Sequence, residues 1–282
     1  MRERRAGRRR SSRGSGSPLR LPSEILGRVT AGAAAATGLP QGTPVLVGGA
    51  DYPLALLGSG VCRPGLASEV AGTSSILTLV TETPVLDPEI SNVGTAEGNW
   101  GAFVLLEAGG DSARWARRAF HDDNLSYGDI LAQAEAAAAG ADSLFFLPFL
   151  AVVGGVGFWV QPHLRSMEKA TGTAPDALVG AGGGAKADLW LRIKSSIYGK
   201  PIRIPAEAEC GLVGCAILAS VATGADSDVA AAATRIVRHD REIRPEPRWQ
   251  EHYALMQPVF DRIYDSSQAF YDDLDRLDAA AD

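Results

Sequence analysis

Residues 67–80 read Ala67-Ser68-Glu69-Val70-Ala71-Gly72-Thr73-Ser74-Ser75-Ile76-Leu77-Thr78-Leu79-Val80. Two short apolar runs, Ala67–Ala71 and Ile76–Val80, flank four small residues. This pattern predicts a β-hairpin with a small polar turn. The turn Gly72-Thr73-Ser74-Ser75 directs backbone N–H and hydroxyl groups outward, a geometry that can cradle phosphate oxygens. An ordinary hairpin turn has the same composition, so the stretch leaves both readings open.

Upstream, Pro44–Gly48 is a β-branched run ending in glycines, which predicts a buried strand. It leads into Gly48-Gly49-Ala50-Asp51. In α/β folds, ligands gather at the carboxyl ends of strands, and glycines there let a substrate reach the backbone. A carboxylate so placed can accept a proton from a hydroxyl nucleophile. Equally, Asp51 can cap the apolar helix that follows it. Earlier still, Ser23 is a candidate cap for a helix through Ala33–Ala36.

Downstream, Val179-Gly180-Ala181-Gly182-Gly183-Gly184-Ala185-Lys186 lies between a strand, Ala177–Gly180, and a helix, Lys186–Tyr198. A glycine-rich strand-to-helix turn lets a nucleotide lie against the free N–H groups of a helix start. It is not a P-loop, because no Ser or Thr follows the lysine. Gly180, Gly182 and Ala185 do satisfy G-x-G-x-x-A, with Glu207 beyond the next strand. A dinucleotide-binding oxidoreductase is therefore a rival reading. Further strands are expected at Phe103–Glu107 and Pro201–Ile204, and residues 84–101 read as loop. Helices are expected over Asp111–His121, Tyr127–Ala139, Cys210–Thr223 and about Trp249–Leu277. Hairpin-rich strands followed by alternating strand and helix predict an α/β domain with a mixed sheet.

The composition bounds the rest. The 282 residues are 46% hydrophobic, 21% charged and 7% aromatic. This excludes a disordered chain, a collagen-like repeat and a small disulfide scaffold. Cys62, Cys210 and Cys215 are odd in number and form no CxxC pair, which points to a reduced, cytoplasmic compartment. The four histidines show no zinc spacing, and no metal ligand set is assigned. Residues 1–17 carry seven arginines and one glutamate, so the remainder is strongly acidic beneath the net charge of −6. An acidic body argues against nucleic acid as partner. The head, 1–17, reads as a disordered basic tail. Ser143–Leu164 is a 22-residue run without a formal charge, long enough to span a bilayer. Pro148 and the glycines at 154, 155 and 157 divide it into a strand-like LFFLPFL and a helix from Val152. The expectation is therefore two buried pieces and no membrane span.

Taken in order, GLPQGTPVLVGGADYPLALLGSGVCRPG, EVAGTSSILTLVT, LFFLPFLA, VGAGGGAKADLW and PIRIPAEAECGLVGCAILASVATG resemble the C-terminal lobe of the FGGY family of carbohydrate kinases. The resemblance covers roughly residues 22–282 and is closest to kinases of erythritol, erythrulose or xylulose. It implies the actin-like (ribonuclease H-like) ATPase fold, as a single lobe with a mixed sheet flanked by helices. It implies ATP-dependent phosphorylation of a sugar or polyol, with ATP and Mg²⁺ as cofactors. By the same resemblance Asp51 is the catalytic base and a substrate contact, and Tyr52 contacts substrate. Gly72, Thr73 and Ser74 hold the ATP phosphates, and Gly183, Gly184 and Asp188 hold adenosine. The chain departs from the pattern in two places. The N-terminal lobe is absent, so a separate lobe or a homodimer is an expected partner. A polar connector is missing near residues 150–153, where LFFLPFLA runs straight into VVGGVGFW. These losses motivate an alternative: an inactive kinase remnant that binds nucleotide weakly or not at all.

Overall fold

A computed structural model describes residues 20–107, 109–121, 124–137, 139–140 and 153–279. The LFFLPFL strand, the basic head and the 150–152 part of the junction lie outside these residues. The chain divides into two compact units, Met1–Gly48 and Gly49–Asp282.

In the first unit, strand β1 (Ile25–Arg28) pairs antiparallel with β2 (Pro44–Leu46), and helix α1 (Ala31–Thr37) joins them. The Thr30 hydroxyl caps α1 by accepting from the Ala33 N–H at 3.2 Å, and Gly38, at φ +77°, ends it. Two expectations are corrected here. Thr30, not Ser23, is the cap, because Ile25–Arg28 is extended. The run at Pro44 is a mostly exposed strand rather than a buried one.

The second unit holds a seven-stranded mixed sheet in the order β5-β6-β4-β3-β7-β8-β9. The strands are β3 (Ala67–Ala71), β4 (Ser75–Thr81), β5 (Ser91–Gly94), β6 (Trp100–Leu106), β7 (Leu178–Ala181), β8 (Ile202–Pro205) and β9 (His239–Ile243). β3, β7 and β8 run parallel, and every other pairing is antiparallel. The predicted hairpin is β3–β4, in register Ala71↔Ser75. β5 replaces part of the expected loop over 84–101, and β6 starts earlier than expected.

Helices cover both faces. α5 (Val153–Thr171), α6 (Asp188–Tyr198) and α9 (Pro247–Ala279) pack the main core with Leu77, Leu79 and Leu178. On the other face, α2 (Asp51–Gly58) sets Leu56 against Val80 and Val179. α2 is backed by α7 (Cys210–Ala222), and the two backbones nearly touch. A Cβ on Gly58 would sit 1.8 Å from the Cys210 carbonyl, and one on Gly214 would sit 2.1 Å from the Leu54 carbonyl. Only glycine allows that approach. α3 (Gly109–His121), α4 (Tyr127–Glu135) and α8 (Val229–Ile236) complete the unit.

Glu69, on the central strand β3, faces α6. Its Oε1 lies 2.9 Å from Lys194 Nζ, and the two side chains are 1% and 2% exposed. The Tyr198 hydroxyl donates to Glu69 Oε2 at 3.0 Å. Burial, then the Glu69 charge, drives the Tyr198 hydroxyl well above the usual tyrosine range. Lys194 also stacks 4.6 Å from the Trp190 ring centroid. Breaking a buried pair strands the surviving charge, whereas replacing both members with apolar residues is often tolerated. Lys194→Met should therefore lower stability by about 3–5 kcal/mol, read as a fall in the urea midpoint. Combining it with Glu69→Leu should recover most of that loss.

Glu97 lies in the turn between β5 and β6. Its Oε1 is buried without a hydrogen-bond partner among the described residues. Burial pushes its carboxyl up to about 7. The folded state thus binds this proton more tightly than the unfolded chain does. The resulting stabilisation is complete below the ordinary carboxyl value and is lost as pH rises through about 7. Melting at constant ionic strength should show a higher midpoint at pH 5 than at pH 8, and Glu97→Gln should narrow that difference.

Candidate nucleotide and phosphoryl-transfer site

The three parallel strands end on the same side of the sheet, and three turns meet there. β3 runs into Gly72-Thr73-Ser74, where the Gly72 N–H donates to the Ser74 carbonyl at 2.8 Å. The start of α3 closes on this turn from outside. The Gly110 N–H donates to the Gly72 and Thr73 carbonyls, both at 2.9 Å, and the Asp111 N–H donates to the Thr73 carbonyl at 3.2 Å. The carbonyls are thereby drawn back towards the protein. Among the described residues, the Thr73 and Ser74 hydroxyls and N–H groups make no hydrogen bond. A turn with its acceptors occupied and its donors free is suited to an anion. The glycines of α3 make the clamp feasible. A Cβ on Gly110 would stand 2.1 Å from the Gly72 carbonyl, and one on Gly109 would stand 2.7 Å from Ser75 Oγ.

β7 runs into the second turn. Gly182 has φ +80°, and a Cβ there would fall 2.6 Å from the Ala71 carbonyl. Gly184 packs on Ala71 and on the Trp190 ring, with both 2.8 Å from a notional Cβ. Gly183, between them, faces open space. Gly183–Lys186 form a single 3-10 turn, so α6 begins at Asp188 rather than at Lys186. Ala71 thus joins the phosphate-type turn to the glycine-rich turn.

β8 leads to Glu207, Glu209 and the start of α7. These residues and the Gly180–Gly183 backbone border a cavity of about 380 Å³. Arg241 of β9 closes its rim. Arg241 Nη1 is paired with Asp188 Oδ1, and Nη2 donates to the Ala185 carbonyl at 2.8 Å. A larger cavity, about 550 Å³, opens at the other end of the sheet between residues 81–87 and 171–173. None of the sequence-predicted site residues lines it.

Asp51 is the first residue of α2 and is exposed. The cap position is Ala50, so the helix-capping reading is corrected: among the described residues Asp51 Oδ1 accepts only the neighbouring Tyr52 N–H, at 2.7 Å. A carboxylate in the first turn of a helix is favoured by the helix dipole. Tyr52 turns inward. Its hydroxyl bonds to Thr78 Oγ1 and its ring lies 6.3 Å from that of Phe103. Burial pushes the Tyr52 hydroxyl up to about 12. The side chain therefore anchors the start of α2 to β4. No hydrogen bond or ion pair among the described residues joins Asp51 to the two nucleotide-type turns.

The site thus gathers Gly72, Thr73, Ser74, Gly183, Gly184 and Asp188, and holds Asp51 and Tyr52 on a separate helix. Sequence reasoning missed the Gly109-Gly110 clamp and Arg241. The glycine doublet ahead of a helix was a usable signal for the first. Nothing in the sequence marked the second.

Residues 148–223 match the model of the FGGY family of carbohydrate kinases, C-terminal domain. Over that stretch the chain is similar to this family. An autoinducer-2 kinase from Enterobacter sp. (strain 638) is 28% identical, over 88% of this chain and 55% of its own length. One from Photorhabdus laumondii is 29% identical over the same shares. Among solved structures, a xylulose kinase from Rhodospirillum rubrum superposes with a TM-score of 0.80 at 25% identity, covering 90% of this chain and 58% of that one. A gluconate kinase from Lactobacillus acidophilus gives 0.84 at 21% identity, over the same shares. The chain spans about half the length of the curated relatives it matches. Its fold is the actin-like ATPase fold of these kinases, as a mixed sheet flanked by helices. No helix among the described residues is long and apolar enough to cross a membrane.

Strain and crowding meet at Gly182. Gly182→Ala should destabilise the chain by about 1–3 kcal/mol, measured by urea denaturation.

Proposed function

We propose that this chain is the nucleotide-binding lobe of an ATP-dependent carbohydrate kinase, which transfers a phosphoryl group to a hydroxyl of a sugar or polyol. The observation that carries this reading is the junction at Ala71. There a turn with free N–H and hydroxyl donors abuts a glycine-rich turn beside a cavity. Thr73 and Ser74 would hold phosphate oxygens, and Gly183 and Gly184 would lie along adenosine. Asp51 would take the proton from the attacking hydroxyl, as a general base must. Mg²⁺ bound with the phosphates would neutralise charge, the main requirement of phosphoryl transfer. Tyr52 keeps a positioning part through Thr78, and a direct contact with substrate would come from its backbone side.

A second reading also has support. Asp51 is exposed and, among the described residues, accepts a hydrogen bond only from the Tyr52 N–H, so a chain that binds nucleotide without turnover fits as well. An N-terminal lobe supplied as a separate chain, or a homodimer, would complete the cleft. The match to the Enterobacter relative runs over 291 residues, more than this chain contains. The relative therefore carries residues within the matched span that this chain lacks, which is compatible with a shortened connector. The dinucleotide reading has less support. Gly180, Gly182, Ala185 and Glu207 border the same cavity, but the family and the free donors at Thr73 and Ser74 favour ATP. We place the protein in the cytoplasm on its reduced-cysteine pattern.

The test is ATP consumption with xylulose, gluconate, autoinducer-2, erythritol and erythrulose, for the chain alone and with an added N-terminal half from a relative. Asp51→Asn should lower turnover by about 10²–10⁴. Unchanged turnover would remove Asp51 from the mechanism. Heat of ATP–Mg²⁺ binding without turnover in any combination would select the remnant reading.

A further inference from the structure

β9 brings a guanidinium to the nucleotide-type turn. Arg241 sits opposite Ile204 in the β8–β9 register, at the sheet edge beyond the last parallel strand. From there its fork meets two acceptors in one turn, the Ala185 carbonyl and the Asp188 carboxylate. A planar guanidinium can hold two acceptors at a fixed spacing, which an ammonium cannot.

The turn needs such a hold. Its three consecutive glycines, Gly182–Gly184, lose more conformational freedom on ordering than any other residues would. Ala71 and Trp190 fix Gly182 and Gly184 from below. Beyond Gly184, Arg241 is the one side chain among the described residues that hydrogen-bonds to Ala185–Asp188. The pair contributes little to global stability, because its side chains are 38% and 62% exposed. Arg241 engages the Asp188 carboxylate through Oδ1.

We infer that Arg241 is a positioning residue for the nucleotide: it pre-forms the Ala185–Asp188 half of the adenosine turn and acts through Asp188. This rests on the ATP-binding reading above.

The experiment is calorimetric titration of the intact chain with ATP–Mg²⁺ for four proteins: unaltered, Arg241→Gln, Asp188→Asn and the double variant. Thermal melting is run on each. Arg241→Gln should raise the Kd about fivefold to twentyfold, with the melting midpoint within about 2 °C. Asp188→Asn should also weaken binding, and the double variant should bind no more weakly than Arg241→Gln alone. Three outcomes overturn the inference while leaving the ATP-binding reading intact. The first is an unchanged Kd in Arg241→Gln. The second is tighter binding by Asp188→Asn, which would mean that Arg241 acts by its charge alone. The third is additive losses, which would mean that Asp188 contacts the nucleotide independently. No ATP binding by the unaltered chain would overturn the ATP-binding reading, and this inference with it.

Discussion

The buried pair between Glu69 and Lys194 fixes how the central strand meets the helix beneath it. Two charges sealed from water require close mutual geometry, because their attraction must offset a large desolvation cost. β3 therefore cannot slide along α6 without separating them. β3 ends in the phosphate-type turn at Gly72, and α6 begins where the glycine-rich turn ends at Asp188. One ion pair thus sets the spacing of both turns. Trp190 extends the same constraint, since its ring lies against Lys194 and also crowds Gly184.

The carboxylate at Asp51 is positioned by different means. Its helix is pressed on α7 through Gly58 and Gly214, and its second residue is tied to β4 through Tyr52 and Thr78. These contacts lie on the other face of the sheet from Glu69 and Lys194. Nucleotide turns and candidate base are therefore held by separate packing layers that share only the strands between them. Substitution in one layer need not disturb the other, which allows the roles of the two groups to be separated by mutation.

Much of this was legible because glycine, small polar residues and alternation mark turns and strands strongly. The β3–β4 hairpin, α5, α6 and α7 and the glycine-rich turn were all read from such signals. The failures have physical reasons. β9 reads His-Asp-Arg-Glu-Ile, a charged sequence that suits an exposed edge strand and carries no apolar alternation. α8 is only eight residues long and half alanine, so little in its composition marks where it begins or ends. Ile25–Arg28 was absorbed into a helix because alanines follow it closely. The pairings of Arg241 with Asp188 and Lys194 with Glu69 join residues far apart in sequence, and composition does not encode such pairs. The candidate site residues came from family resemblance, whereas the inward turn of Tyr52 and the pairing of Asp188 Oδ1 with Arg241 are features of the folded chain alone.

The clamp of α3 on the Gly72–Ser74 turn decides when that turn loses its freedom. Its Gly72 and Thr73 carbonyls are held by the Gly110 and Asp111 amides of the chain itself. The entropy of ordering the turn is therefore surrendered once, during folding, and not at each encounter with an anion. An anion bound there, as proposed, would meet a finished surface, so its recognition would follow the fit of its oxygens to fixed donors and not a rearrangement of the chain.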